Sequence, residues 1–384
     1  MQTMSNNNLA WTLVEQALDA GASDLHIEPR REAVCVRLRI DGLLMELCRL
    51  PLVQYSTLLT QFKVAANMDI AEKRVPQDGR AALTLDGRNI DLRLSTLPTT
   101  LGEKIAIRIL AQQELLRLDE LGFTQQNLHA YRQLFAQPHG LVLLTGPTGS
   151  GKTTTLYATL GELDAATRNI ITLEDPVEYS LNGISQVAVN RRSGMTFAKG
   201  LRAIVRQDPD VIMLGEIRDE ETAGIAVQAA LTGHLVLSTM HTNSAAGAVN
   251  RLLDMGVAPY LLAATLRGVV AQRLVRRLCP ACRALETATV AEREFTEQAW
   301  HAVGCAKCHS AGYHGRLAVQ EVLPMTPKLQ QLVLARSPES SLEQAAGADG
   351  WVSMAEDAAQ KAAAGLTTLA ELWRVGIRGE HDVI

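Results

Sequence analysis

The sequence has few aromatic residues, five Phe, six Tyr and four Trp in 384 positions, and nowhere do they interleave with a run of Lys and Arg. That argues against the basic, aromatic-lined groove on which single-stranded nucleic acid stacks, and no direct nucleic-acid partner is expected. No charge sign dominates: 37 Lys and Arg stand against 41 Asp and Glu, so no overall field favours nucleic acid or a membrane surface. No apolar run approaches the roughly 20 residues of a membrane-spanning helix. The polar opening, residues 1–8, lacks the basic-then-apolar order of a signal peptide. Together these absences predict a soluble cytosolic chain. There is no internal repeat and no long low-complexity tract. Cysteine is sparse and unevenly placed. Cys35 and Cys48 sit singly in apolar, strand-like stretches, whereas the other four form Cys279-Pro280-Ala281-Cys282 and Cys305-Ala306-Lys307-Cys308. In a cytosolic chain this pattern suggests metal rather than disulfides.

At this length two or three domains are expected, each burying its own core. Residues 9–20 carry apolar side chains at Leu9, Leu13, Val14 and Leu18, a helical spacing, with Gly21 as the stop. Strand-like alternation follows at 24–28, 34–40 and 43–47, the last two joined by Asp41-Gly42, a dipeptide that favours a tight hairpin turn. Asp86-Gly87 repeats the device between 81–85 and 89–95. An α+β domain with an antiparallel sheet is expected for residues 1–110, and the polar segment 111–122 reads as a linker. From Gly140 the pattern changes to short apolar strands at 141–145, 170–173, 211–214 and 235–239, which predict a buried, mainly parallel sheet over 123–278. Between them lie a helix capped by Asp219 and ending at Leu231, and another from about Ser244 to Met255. The fold class is therefore α/β, with a small cysteine-bearing lobe at 279–320 and a helical region at 321–384.

The apolar run 141–144 leads into Gly146-Pro147-Thr148-Gly149-Ser150-Gly151-Lys152-Thr153, a complete G-x-x-x-x-G-K-[ST] phosphate loop. Glycines let successive amides turn toward phosphate oxygens, and the helix beginning near Gly151, with Thr154 in its first turn, adds its positive end. Lys152 is placed to reach the β- and γ-phosphates of ATP and the Thr153 hydroxyl to ligate Mg²⁺. Hydrolysis also needs a carboxylate. Glu174 and Glu216 follow apolar strands, where parallel-sheet proteins place their sites. The second strand looks like a Walker B strand with Gly215 in the usual aspartate position, so Glu216 must supply the charge. Either acid could serve as the base. Arg202 and Arg206, spaced four apart, read as one helical face that either reaches phosphate or is simply solvated. His234 and His241 flank the strand 235–239 and are structural or sense the γ-phosphate. Four thiolates in two C-x-x-C knuckles, Cys279, Cys282, Cys305 and Cys308, suit a closed tetrahedral Zn²⁺ site that folds a small lobe.

In order and spacing these motifs, with the boxes Ile171-Thr172-Leu173-Glu174-Asp175-Pro176, Gly215-Glu216-Ile217-Arg218-Asp219 and Thr232-Gly233-His234 to His241-Thr242-Asn243, resemble the secretion ATPases of type II secretion and type IV pilus assembly over residues 9 to about 380. The resemblance implies a PAS-like N-terminal domain, a RecA-like motor domain and a hexameric ring. It implies that Glu216 is the catalytic carboxylate with Glu174 supporting it, that Arg202 and Arg206 contact phosphate, and that both histidines lie near the nucleotide. Arg80 in Gln77-Asp78-Gly79-Arg80 and Arg93 in Asp91-Leu92-Arg93-Leu94 match the N-terminal-domain arginines that swing onto the phosphates; pattern alone would make both surface strand residues. The four cysteines match the assembly and secretion motors, which the retraction motors lack. An inner-membrane platform protein and the cytoplasmic domain of a membrane anchor are the implied partners, which would associate a cytoplasmic protein with the inner membrane. The extra N-terminal docking domain of most such motors is not seen before the PAS-like domain. The competing expectations are a DNA- or protein-translocating ATPase of the type IV secretion kind and a nucleotide-gated regulatory module without turnover.

Overall fold

The structure, a computed structural model, describes residues 9–85, 88–111 and 115–377. The chain divides into two compact units, residues 1–114 and 115–384. In the first, helix α1 (Leu9–Asp19) precedes strands β1 (Asp24–Pro29), β2 (Val34–Ile40) and β3 (Leu43–Leu50). Helix α2 (Leu52–Ala65) and strands β4 (Gln77–Leu85), β5 (Arg88–Thr99) and β6 (Gly102–Ala111) complete it. The six strands form one antiparallel sheet in the order β3-β2-β1-β6-β5-β4. Asp41 and Gly42 both have positive φ, 48° and 87°, the two-residue turn whose twist matches that of the strands. The second expected turn, Asp86-Gly87, lies outside the described residues. Leu25, Ile27, Leu92, Leu94, Ile105 and Ile107 pack against Trp11 and Val14 of α1 and Leu58 and Phe62 of α2.

The second unit holds a seven-stranded sheet in the order β15-β12-β7-β11-β10-β8-β9. Its strands are β7 (Gly140–Thr145), β8 (Ile170–Glu174), β9 (Ser185–Ala188), β10 (Val211–Leu214), β11 (Leu235–Met240), β12 (Leu266–Leu278) and β15 (Tyr313–Pro324). All neighbours are parallel except β12 and β15. Every residue of β7, β8, β10 and β11 is buried, because helices cover both faces. Val142, Leu144, Met213 and Leu237 face one side, with α3 (Gln125–Phe135) and α4 (Lys152–Glu162). Leu141, Leu143, Ile212, Leu214 and Val236 face the other. There lie α5 (Phe197–Ile204), α6 (Glu220–Leu231), α7 (Ala245–Asp254), α8 (Pro259–Thr265), α9 (Pro327–Leu334), α10 (Glu339–Ala348), α11 (Met354–Ala363) and α12 (Leu369–Arg374). Asp219 and Ser244 cap α6 and α7 by accepting from the amides of Thr222 and Gly247.

Two stretches depart from expectation. The cysteine lobe was expected to run to residue 320 and a helical region to start at 321, but Tyr313–Pro324 is the antiparallel edge strand of the main sheet, paired from Leu278↔Tyr313 to Gly268↔Pro324. Its buried Gln320 and Glu321 break the apolar run that would have marked it; the Glu321 carboxylate accepts from the amides of Ala245 and Met354, and Gln320 Nε2 reaches Gln272 Oε1 at 3.4 Å. The cysteine lobe, with the hairpin β13 (Arg283–Thr287) and β14 (Gln298–Ala302), is therefore an insertion at the far end of the β12–β15 ladder. Within the stretch expected as a linker, Leu118 and Leu121 are buried in the core of the second unit.

Candidate nucleotide site and cysteine cluster

Strands β7, β10 and β11 end in register at one edge of the sheet, with Leu214 opposite Ser238 and Thr145 opposite Met240. The residues that follow them are thereby brought together, at the carboxyl edge where parallel sheets place ligands. After β7 the phosphate loop turns on glycines. Gly146 has φ 145°, and a Cβ there would lie 2.3 Å from the Gln272 carbonyl; Gly151 has φ 86° and precedes the first residue of α4. The loop is thus a backbone cradle that side chains would fill, and the unpaired amides of the first helical turn face it. Lys152 is buried and donates to the carbonyls of Gly146 (2.6 Å) and Pro147 (3.0 Å). Burial pushes its ammonium down to about 8, against the opposing pull of Glu216. Thr153 is exposed and Thr154 half-buried in the same turn.

After β10, Glu216 accepts from Arg218 Nη2 at 2.5 Å and from His241 Nε2 at 3.2 Å, the latter following β11. Burial raises the Glu216 pKa, but Arg218 and His241 outweigh it and the carboxyl is held below its ordinary range. The loop positions are pinned across strands: Thr239 Oγ1 donates to Gly215 O, and the Thr242 amide donates to Thr145 Oγ1 at 2.8 Å. A charged carboxylate, an imidazole and a lysine therefore meet beside an anion cradle, an arrangement suited to orienting water at a phosphate.

Of the other expected site residues, Glu174 reaches the same sheet edge, beside Gly215. Glu174 ends β8 but is buried, its carboxylate accepting from Tyr157, from Thr172 Oγ1 at 2.5 Å and from Gln186 Nε2 at 3.2 Å. Those donors suit it to holding the loop after β8 rather than to meeting water. His234 stands at the opposite edge of the sheet, about 20 Å along β11 from His241, with Nδ1 donating to Ala229 O at 2.8 Å. One chain therefore does not bring it to its own phosphate loop. Arg202 pairs with Glu221 at 2.6 Å. Arg206 does not share its helical face: α5 ends at Ile204, and Asp208 (φ 49°) and Pro209 turn the chain away. In the first unit, Arg80 lies opposite Arg93 and Arg93 opposite Arg108 across β4, β5 and β6. With Asp24 and Asp78 they line an open cavity of about 450 Å³. Arg218 and Arg108 were not expected; Arg218 stands two residues after Glu216 in the same motif, a signal that was available.

The thiols of Cys279, Cys282, Cys305 and Cys308 all lie within 4.8 Å of one another. Individual separations of 3.7 and 3.9 Å match the roughly 3.8 Å edge of a sulfur tetrahedron around Zn²⁺ with bonds of about 2.3 Å. The amides of Cys305 and Gly312 donate to the Cys308 sulfur, which supports a thiolate there.

A family described as type II/IV secretion system protein matches residues 4–374. The chain belongs to this family. It is 53% identical over 364 residues, 94% of its own length and 76% of the other, to the type II secretion system protein HxcR of Pseudomonas aeruginosa. It is 48% identical over 371 residues, 94% and 74% of the two lengths, to the type II secretion system ATPase E of Vibrio cholerae. Among solved structures it resembles the pilus retraction motor PilT with bound ADP, at 25% identity, 98% coverage of both chains and a TM-score of 0.66. The Legionella pneumophila ATPase DotB, 20% identical with a TM-score of 0.71 over 98% of this chain and 97% of that one, shows the shared fold. As a member, the chain is an α/β protein with a RecA-like unit and an ATPase of secretion and pilus-assembly machinery. No helix among its described residues is long and apolar enough to cross a membrane.

Proposed function

We propose that this ATPase is a homo-hexameric motor that drives assembly of a pilus or pseudopilus through an inner-membrane platform protein. The observation that carries the reading is the convergence of Glu216, His241 and Lys152 beside the phosphate loop at one sheet edge. ATP binds with its β- and γ-phosphates on the loop amides and Lys152, whose ammonium leaves the Gly146 and Pro147 carbonyls for phosphate oxygens. Thr153 would hold Mg²⁺, which would supply charge neutralisation at the phosphates. Glu216 accepts the proton of the attacking water, while Arg218 and His241 keep it ionised and oriented until that moment. Glu174 supports from the interior. Arg80 and Arg93 close onto the phosphates from the PAS-like unit, and their release after hydrolysis rotates that unit. Arg202, Arg206 and His234 act where subunits adjoin. Cys279, Cys282, Cys305 and Cys308 hold a structural Zn²⁺, since four protein ligands leave no open position for chemistry.

Phosphate release by purified protein tests the assignment. Glu216→Gln is expected to retain nucleotide binding and lose about 10²- to 10⁴-fold in turnover. Lys152→Ala is expected to lose both. Wild-type turnover in either variant would overturn the site.

A further inference from the structure

Gln272 lies on β12, the strand beside β7, and is 1% exposed. It is a lone amide in the apolar stretch Val269-Val270-Ala271-Gln272, where an unsatisfied polar group would be costly. The side chain spans both sides of Lys152. Its Nε2 donates to the Ser150 carbonyl at 2.6 Å, and its Oε1 accepts from Thr155 Oγ1 at 2.9 Å. We propose that Gln272 is a positioning residue of the nucleotide site, holding the phosphate loop in the shape that receives phosphate.

The geometry gives the mechanism. The Ser150 carbonyl and the Gly151 amide belong to one planar trans peptide and point to opposite sides of it. Drawing the carbonyl onto Gln272 turns the Gly151 N–H away from β12, toward the interior of the cradle. The bond from Thr155 fixes the first turn of α4 against the same amide, so the loop and the helix that carries Lys152 are set relative to each other by one side chain. Close packing enforces the arrangement: a Cβ at Gly151 would lie 2.8 Å from Gln272 Nε2, and one at Gly146 2.3 Å from its backbone oxygen. Gln272 is itself held. Gln320 Nε2 reaches its Oε1 at 3.4 Å, and the Gln320 backbone is fixed by Asp357 Oδ2, which accepts from its main-chain N–H at 2.9 Å, and by Asn127 Nδ2, which donates to its main-chain carbonyl at 3.0 Å. Asp357 is paired with Lys361 at 2.5 Å, both buried. A group offering a donor and an acceptor together serves both Ser150 and Thr155; without that side chain the Thr155 hydroxyl has the Gly151 carbonyl at 3.2 Å, but the Ser150 carbonyl loses its donor. Glutamine serves both at any pH, a carboxyl only while protonated, and leucine never.

The proposal rests on the phosphate loop being the nucleotide site, and the experiment separates the two. Binding of a fluorescent ADP with Mg²⁺ is measured on the full chain between pH 6 and 9 for wild type, Gln272→Leu, Gln272→Glu and Lys152→Ala. Gln272→Leu is expected to weaken binding about tenfold or more at every pH. Gln272→Glu is expected to match that loss at high pH and to recover toward wild type as pH falls and the buried carboxyl protonates, which also shows that the variant is folded. Wild-type affinity in Gln272→Leu, or a constant ratio of Gln272→Glu to wild type across pH, overturns the role of Gln272. Wild-type affinity in Lys152→Ala overturns the site itself.

Discussion

Lys152 is the residue on which burial and function pull in opposite directions. Its ammonium is held among backbone carbonyls and its pKa is lowered to about 8, whereas bound phosphates favour the charged form and raise it again. Nucleotide binding therefore takes up a proton whenever the free protein has lost one. Affinity for ADP is expected to be flat below about pH 8 and to fall by up to tenfold per pH unit above it. Calorimetry in buffers of different ionisation heat reads the uptake directly. Lys152→Arg, which stays charged, is expected to lose the dependence, and an equally steep fall in that variant would assign it to another group. Until the resemblance to secretion ATPases favoured them, Glu216 was level with Glu174 as the base and His241 stood between a structural and a sensing role, whereas Lys152 was legible from the fixed spacing of its motif. Gln272 was not, since its role is set by Ser150, 122 residues away in sequence; a polar residue inside an apolar strand was its only trace. The enclosure of Glu174 was hidden for the same reason, because Tyr157 and Gln186 come from other elements.

Elements were most legible where the environment is uniform. Strands β8, β10 and β11 are buried on both faces and appear in the sequence as continuous apolar runs, and Asp219 and Ser244 announce the helices they cap. Helix α2 left a weaker trace, because Leu52, Val53 and Val64 are exposed and blur its apolar stripe. The edge strand β15 was obscured by its buried Gln320 and Glu321, polar groups whose partners lie far along the chain. The ladder it forms with β12 runs from Gly268 past Gln272, beside the phosphate loop, to Leu278, the residue before Cys279. The lobe has a two-stranded hairpin and little core, so a metal ion is expected to carry its stability. Protein purified without added metal is expected to hold one Zn²⁺ per chain by elemental analysis. Cys282→Ser is expected to lose that metal and to gain amide exchange across β13 and β14, with the exchange of β7 and β11 unchanged. Native protein free of zinc despite intact thiols would rule the site out.

The proposed mechanism draws on residues of both units. The phosphate loop and Glu216 lie in the second unit, while Arg80 and Arg93 lie on a sheet of the first. His234 donates to Ala229 at the far end of β11, Arg202 pairs with Glu221, and Arg206 lies beyond the end of α5. Residue pattern alone made the two sheet arginines ordinary surface positions; only the resemblance to secretion ATPases connected them with phosphate. In the hexameric ring proposed above, His234, Arg202 and Arg206 would act at a neighbouring subunit and each subunit would depend on the next. The consequence is measurable in mixed rings. Wild-type protein combined with Glu216→Gln at five to one leaves on average about one inactive subunit in each hexamer. Independent subunits would lose about one-sixth of the phosphate-release rate, whereas subunits whose domain rotations pass around the ring are expected to lose more than half. The same titration with Lys152→Ala, which does not trap nucleotide, is expected to inhibit less steeply at equal ratios. A linear decline with Glu216→Gln, in mixtures shown by mass analysis to have exchanged subunits, would mean that each site fires alone.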